Sequence, residues 1–153
     1  MNFRYSDTVH GGQAKATAII NGNVEDLFFI KTLEATMEKN KEEGRTIGKR
    51  SVQHKAAGWN GTGSMTIYYV TSIFRKLLKE YKNTGRDTYF SITVETEDEG
   101  STVGKQTTSL YYCNINSGII AKIDVDSASL DEDMDFTFED WDLLEEFTDP
   151  VSV

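Results

Sequence analysis

Asp131, Asp133 and Asp135 stand at every second position of the stretch DEDMDFTFEDW, residues 131–141. The first ligands of a calcium loop start with that spacing. An EF-hand loop also needs a glycine at its sixth position, for the sharp turn, and a bidentate Glu at its twelfth. Counted from Asp131, those positions hold Phe136 and Asp142. The glycine is missing, and Met134, Phe136 and Phe138 fall on a period of two. In a strand the three acids share one face at a spacing of about 6.5–7 Å, too far apart to wrap one ion. The stretch therefore reads as a strand with a wet acidic face and a dry Met/Phe face.

Other groupings carry less chemistry. GRTIGKRS imitates the end of a phosphate-binding loop, but Gly44 and Gly48 enclose three residues where four are needed, and Arg50 separates Lys49 from Ser51. GWNGTGS has no lysine and runs into a strand, so no helix N-terminus is offered to an anion. Cys113 could pair with His54 or His10 as a nucleophile. It lies beside Tyr111 and Tyr112 in a strand, where a lone cysteine behaves as a small buried hydrophobe. Two histidines and one cysteine do not supply the usual zinc ligand set. No catalytic, cofactor-binding or metal-ligating residue is assigned, and the chain reads as a non-enzyme.

The elements around these residues are mostly strands. The 153 residues point to a single domain, 1–153, large enough to bury a core without staples. One cysteine excludes an internal disulfide framework. The N-terminus lacks a signal pattern and no run of 18 apolar residues occurs, which points to synthesis in the cytoplasm and no stable membrane binding. After a polar arm over residues 1–13, AKATAIINGNVEDLFFIKTLEATMEKN reads as a hairpin turned at Asn21-Gly22. Its second strand puts Leu33, Ala35 and Met37 on one face and Thr32, Glu34, Thr36 and Glu38 on the other. Residues 40–61 are basic and glycine-punctuated with little hydrophobic period, and read as a long loop; loops this long usually have a job. SMTIYYV is a strand. TSIFRKLLKEYKNTG is a helix with an apolar stripe of Ile73, Phe74, Leu77, Leu78 and Tyr81, a start capped by Thr71 or Ser72, and an end at Gly85. YFSITVETED, QTTSLYYCNI, GIIAKIDVD and SLDEDMDFTFEDW read as further strands, before a C-terminal tail at 145–153. About seven or eight short strands and one helix predict a mainly β (α+β) fold: an antiparallel sandwich or partial barrel with one flanking helix.

Charge is unevenly placed. Residues 1–122 hold all 16 basic residues and 13 acids, whereas 123–153 hold 12 acids and no Lys or Arg. Such blocks suggest that one part of the molecule meets the opposite part of a neighbour; a solvated acidic tail is the simpler alternative. The net charge of −9 makes a poor DNA binder, because phosphate neutralisation needs clustered cations.

The order of several stretches carries a resemblance. IKTLEATMEKNKEE, the basic glycine segment, GWNGTGSMTIYYVTSIF, the helix, IIAKIDVD and DFTFEDWDLLEEF together resemble the tail tube proteins of contractile phage tails, of the PBSX-like prophage type, and of R-type bacteriocins. The resemblance runs from about Lys31 to about Phe147 and is one of whole pattern. It implies a subunit that forms six-fold rings whose inner strands join into one continuous β-barrel. The rings would stack head to tail into a hollow tube inside a contractile sheath. Implied partners are further copies of the chain, the sheath protein, baseplate and tape-measure proteins, and DNA only as transiting cargo. The implied setting is the bacterial cytoplasm during assembly, then the tail or bacteriocin particle, extracellular after lysis.

Within that frame the 40–61 segment is placed to reach the next ring. Candidate contacts are Lys39, Lys41, Arg45, Lys49, Arg50 and Lys55 by charge, and Ile47, Val52 and Trp59 by apolar contact. Lumen-facing candidates, taken opposite the apolar positions, are Glu34, Thr36, Glu38, Asp133 and Asp135. The alternative from another class is a monomeric β-sandwich ligand-binding module with Trp59 as an exposed aromatic platform. The strand reading of Asp131–Asp135 makes its own prediction. The melting temperature should show no saturable rise with calcium beyond that with magnesium, as read by thermal denaturation against ion concentration.

Overall fold

The structure, a computed structural model, describes residues 2–27 and 30–151. The part of the expected hairpin that falls on Phe28 and Phe29 lies outside the described residues, as do the outer ends of the arm and tail at Met1, Ser152 and Val153. The strands are β1 (Ala14–Ile20), β2 (Asn23–Asp26), β3 (Ile30–Gly44), β4 (Gln53–Tyr68), β5 (Phe90–Glu97), β6 (Lys105–Ser117), β7 (Asp131–Phe138) and β8 (Asp140–Glu145). One helix, α1 (Ile73–Thr84), joins β4 to β5. The sheet runs in the order β2-β1-β5-β6-β7-β4-β3, with β8 also paired to β6, and all pairs are antiparallel. The mainly antiparallel β fold with one helix is the one expected.

Strand β6 organises the sheet. Its first part pairs with β5 and β8, and its last residues, Asn114 to Ser117, pair with β7. The change of partner falls at Tyr112, whose φ of 54° is rare for a bulky residue, opposite a register shift between Phe90 and Ile92. The facing chain bends at the same level: between β7 and β8 the Glu139 amide donates to the Tyr111 carbonyl at 3.1 Å. The bent sheet closes its apolar faces onto one cluster. Ala16, Ala18, Ile92, Leu110, Cys113, Met65, Ile67, Met134 and Phe136 are all buried in it.

The Asn21–Gly22 turn forms as expected, with φ values of 52° and 79° that suit a tight hairpin. The hairpin it closes is shorter than expected. β2 pairs with β1 only as far as Asp26, because buried Leu27 then anchors in the core, its amide donating to the Ala16 carbonyl at 3.0 Å. β3 leaves to pair with β4 instead. The helix follows its apolar stripe. Phe74 is buried with its ring 6.0 Å from Phe90, and Ile73, Leu77 and Leu78 pack on the core, while Tyr81 stays exposed. Thr71 supplies the start, its Oγ1 accepting the Ile73 amide at 3.3 Å, and Gly85 ends the helix at a φ of 76°. Arg75 holds the helix to the sheet through an ion pair with buried Glu132. It also donates to the Thr71 carbonyl and lies over the Tyr69 ring at 4.4 Å. Removing one partner of such a buried pair costs about 3–5 kcal/mol.

GIIAKIDVD is not a strand. Residues 118–130 form an irregular connection between β6 and β7, and among the described residues no strand pairs with them. The polar arm is tied down rather than free. Asp7 is buried, accepts from the Arg4 amide at 2.9 Å and from Thr102 Oγ1 at 2.6 Å, and Thr102 in turn accepts the Val151 amide at 3.0 Å. Asn2 and Val151 form a parallel bridge, so both chain ends meet at the turn between β5 and β6.

Gly61 and Gly63 on β4 sit opposite Phe138 and Phe136 on β7, and each ring lies where a glycine neighbour would carry a side chain. Gly63→Ala would drive a methyl into the Phe136 ring and should destabilise the fold by about 1–3 kcal/mol, read by urea denaturation. Ser64→Ala, on the opposite face, should stay within about 0.5 kcal/mol of the parent.

Candidate functional site

Register alone assembles the polar face. Directly opposed residues share a face of the sheet, so Glu34, Ser64 and Asp135 form one row across β3, β4 and β7. Thr32, Thr66 and Asp133 form the next row, Thr36, Thr62 and Thr137 another, and Glu38 stands opposite Asn60. The five residues read as lumen-facing, Glu34, Thr36, Glu38, Asp133 and Asp135, thus come together on one exposed face. Thr66 Oγ1 donates to Asp133 at 2.6 Å. At the margin of the face Lys31 pairs with Asp131 at 2.8 Å and lies over the Tyr68 ring; the hydrogen bond to that carboxylate raises the lysine pKa above its ordinary value. The three aspartates are strung along one strand, each facing its own cross-strand neighbour, as the period of two requires.

The reverse face is apolar, buried on β4 and β7 and still open at Ala35 and Met37 on β3. Leu33, Met65 and Met134 form a row there, followed by Ala35, Gly63 and Phe136, then Met37, Gly61 and Phe138. Ala35 and Met37 border an apolar recess of about 230 Å³ shared with Leu110, Phe138 and Trp141, and the Trp141 indole donates to the Met37 sulfur at 3.3 Å.

The segment expected as a loop at 40–61 is instead the outer part of a long hairpin. β3 continues to Gly44 and β4 starts at Gln53, leaving residues 45–52 as the turn. β4 meets β7 only from Gly61 onward, so residues 53–60 pair with β3 alone and the hairpin projects from the body. Apart from Val52 and Trp59, residues 40–60 are exposed, so this part shows no apolar alternation. Lys39, Lys41, Arg45, Lys49, Arg50 and Lys55 are all exposed on it. Among the described residues none of these six makes an ion pair. Ile47 at the turn is fully exposed, at 106%. Val52 is half-buried. Trp59 is not an exposed platform: it packs against the core with its ring 6.1 Å from Phe138.

Cys113, His54 and His10 are not brought together as a site. Cys113 lies in the core, His54 on the projecting hairpin and His10 in the arm. Among the described residues no group of His, Cys, Asp and Glu is placed to hold a metal, and no helix is long and apolar enough to cross a membrane.

The described residues thus present a two-faced antiparallel sheet with one long edge strand, β3, and a projecting charged hairpin. The chain belongs to the phage tail tube protein family, whose sequence profile matches residues 1–145. The phage-like element PBSX protein XkdM of Bacillus subtilis (strain 168) is 40% identical over 149 residues, covering 97% of this chain and 99% of that protein. Among solved structures, a chain of the anti-feeding prophage baseplate superimposes with a TM-score of 0.69 at 14% identity, covering 90% of this chain and 95% of that one. A chain of the PVC sheath–tube complex, from an extracellular contractile injection system in the extended state, gives 0.63 at 10% identity, covering 84% and 87%. At those identities the likeness is one of fold. Family membership favours the tube subunit over the ligand-binding module.

Burial pushes the Cys113 thiol up to about 12, so almost no thiolate exists near neutrality. Iodoacetamide should therefore leave Cys113 unlabelled in folded protein at pH 8 and modify it fully in urea, as read by mass spectrometry.

Proposed function

We propose that this chain is the repeating subunit of the inner tube of a contractile phage tail or R-type bacteriocin. Six copies close into a ring, and rings stack head to tail into a hollow conduit. The observation that supports this most directly is the sheet β3–β4–β7 with the end of β6. It has an acidic wet face, an apolar reverse and two open edges. One open edge is β3, over 15 residues. The other is the end of β6, where pairing to β5 stops at Cys113 and residues 114–117 are bonded on one side only. Neighbouring directions alternate, so β3 of one copy meets β6 of the next antiparallel. Repetition around a ring removes both edges and their aggregation hazard.

In this arrangement Glu34, Thr36, Glu38, Asp133 and Asp135 line the bore. Carboxylates there repel DNA phosphates over a Debye length of about 8 Å, so cargo slides rather than sticks. The β3–β4 hairpin reaches the adjoining ring, with Lys39, Lys41, Arg45, Lys49, Arg50 and Lys55 supplying charge and Ile47 and Val52 apolar contact. Trp59 acts at the hairpin base, by stiffening it against Phe138. The outer half of the sheet meets the sheath, and the tube ends meet baseplate and tape-measure proteins. Assembly takes place in the bacterial cytoplasm, and the particle leaves on lysis.

Ring stacking through charge has a measurable signature. Each exposed pair contributes about 0–1 kcal/mol, but six copies act at every junction. Lys49→Glu with Arg50→Glu should slow or abolish elongation, followed by light scattering and negative-stain microscopy, while circular dichroism stays unchanged. Added salt should slow the parent protein. Strictly monomeric parent protein at millimolar concentration would overturn the tube reading; a silent double reversal with salt-accelerated growth would show apolar stacking instead.

A further inference from the structure

We propose that the connection between β6 and β7, residues 118–130, is the surface that receives the hairpin turn of a second copy in the adjoining ring. This rests on the stacking reading above and names the acceptor it requires.

The connection is unusual for a surface segment. Ile123 and Val125 are each 91% exposed, and Ile120 also faces solvent. Monomers seldom leave aliphatic side chains so grouped in water unless something covers them. The segment is also held in shape. Lys122 Nζ donates to the Asp131 carbonyl at 2.7 Å, Asp124 accepts the Asp126 amide at 3.1 Å, and Ser127 Oγ donates to the Ser129 carbonyl at 2.6 Å. A surface fixed beforehand loses less entropy on docking. Lys122 is occupied by that bond and half-buried, so the charges offered outward are those of Asp124 and Asp126.

The hairpin turn is the complement. Ile47 stands bare at its centre, and Arg45, Lys49 and Arg50 surround it. An aliphatic side chain flanked by cations fits an aliphatic patch flanked by carboxylates. Such complementarity sets register and rate more than raw affinity.

Position supports the match. The connection leaves β6 at Ser117 and enters β7 at Asp131, which pairs with Tyr68 at the end of β4, and the Tyr69 amide donates to the Leu130 carbonyl at 2.9 Å. It lies where β3 begins, and the turn lies where β3 ends. At a rise of about 3.3 Å per residue the two are roughly 45 Å apart along one sheet, out of reach of each other within a single copy. Donor and acceptor on opposite ends of a subunit make a heterologous contact, which propagates along a stack.

The test is a charge exchange in the full-length protein. Asp124→Lys with Asp126→Lys should slow elongation about tenfold or more while rings and circular dichroism remain, given how steeply steered association depends on charge. Combining these with Lys49→Glu and Arg50→Glu should restore elongation. As a second reading, Ile47→Cys with Ile123→Cys should give disulfide-linked ladders in oxidised tubes and none in dilute monomer; buried Cys113 does not compete. The proposal is overturned if tubes form and the aspartate reversals are silent. It is also overturned if the combined variant is not rescued and Ile47→Cys links instead to Tyr112→Cys, in the recess that Tyr89, Tyr111 and Tyr112 line. Parent protein that never stacks fails the tube reading itself, which is a different result from tubes that stack through another surface.

Discussion

The fit of two phenylalanine rings over two glycines sets the register on which everything else depends. Phe136 and Phe138 occupy the space above Gly63 and Gly61, and the next dry positions on β4 are Met65 and Ile67, which have no such room. A slip of two residues would place a ring on a methionine. A slip of one would turn Asp133 and Asp135 into the core and both rings into water. Packing on the dry side thus specifies the composition of the wet side, although no acid takes part in the fit. The same lock fixes where β4 stops meeting β7, and so where the hairpin starts to project.

Beyond that point the hairpin rests on ladder hydrogen bonds and little else. A two-stranded ribbon alone in water is marginally stable. Trp59 against Phe138 stiffens its root, and past Lys39 and Trp59 nothing lies beneath it. Its register shift between Lys39 and Lys41 adds twist at the same place. Such an arm keeps its length while its tip can adjust, which suits the proposed contact with an adjoining copy.

Legibility in the sequence followed burial. β1, β5, β7 and the helix were readable because one face of each packs in the core and leaves alternation or a stripe: Phe90, Ile92 and Val94 on β5, Met134, Phe136 and Phe138 on β7. The acidic face was readable for the same reason, as the complement of those positions. The outer hairpin reads as a loop because neither of its faces is buried, so Lys41, Glu42 and Glu43 carry no period. GIIAKIDVD is the opposite case, where β-branched residues alternate as in a strand although among the described residues no strand pairs with it. Leu27, which diverts the chain from β1 to β4, and Asp7, which gathers the chain ends, act through contacts with residues distant in sequence, and no local pattern announces them. The Asn21–Gly22 turn is the contrast, a local rule that held because its backbone conformation needs nothing from the rest of the fold.

The clasp around Asp7 makes the two termini a single structural seam. Thr102 touches the arm through its hydroxyl donation to Asp7 and the tail through the Val151 amide, so each end is held by the residue that holds the other. Loss of one end loosens the anchor of the other, and trimming from either direction disturbs the same corner. The polypeptide is in this sense nearly a closed loop, with its opening set at the turn between β5 and β6. Both ends leave from that one corner, so an extension carried at either terminus would start beside the turn between β5 and β6.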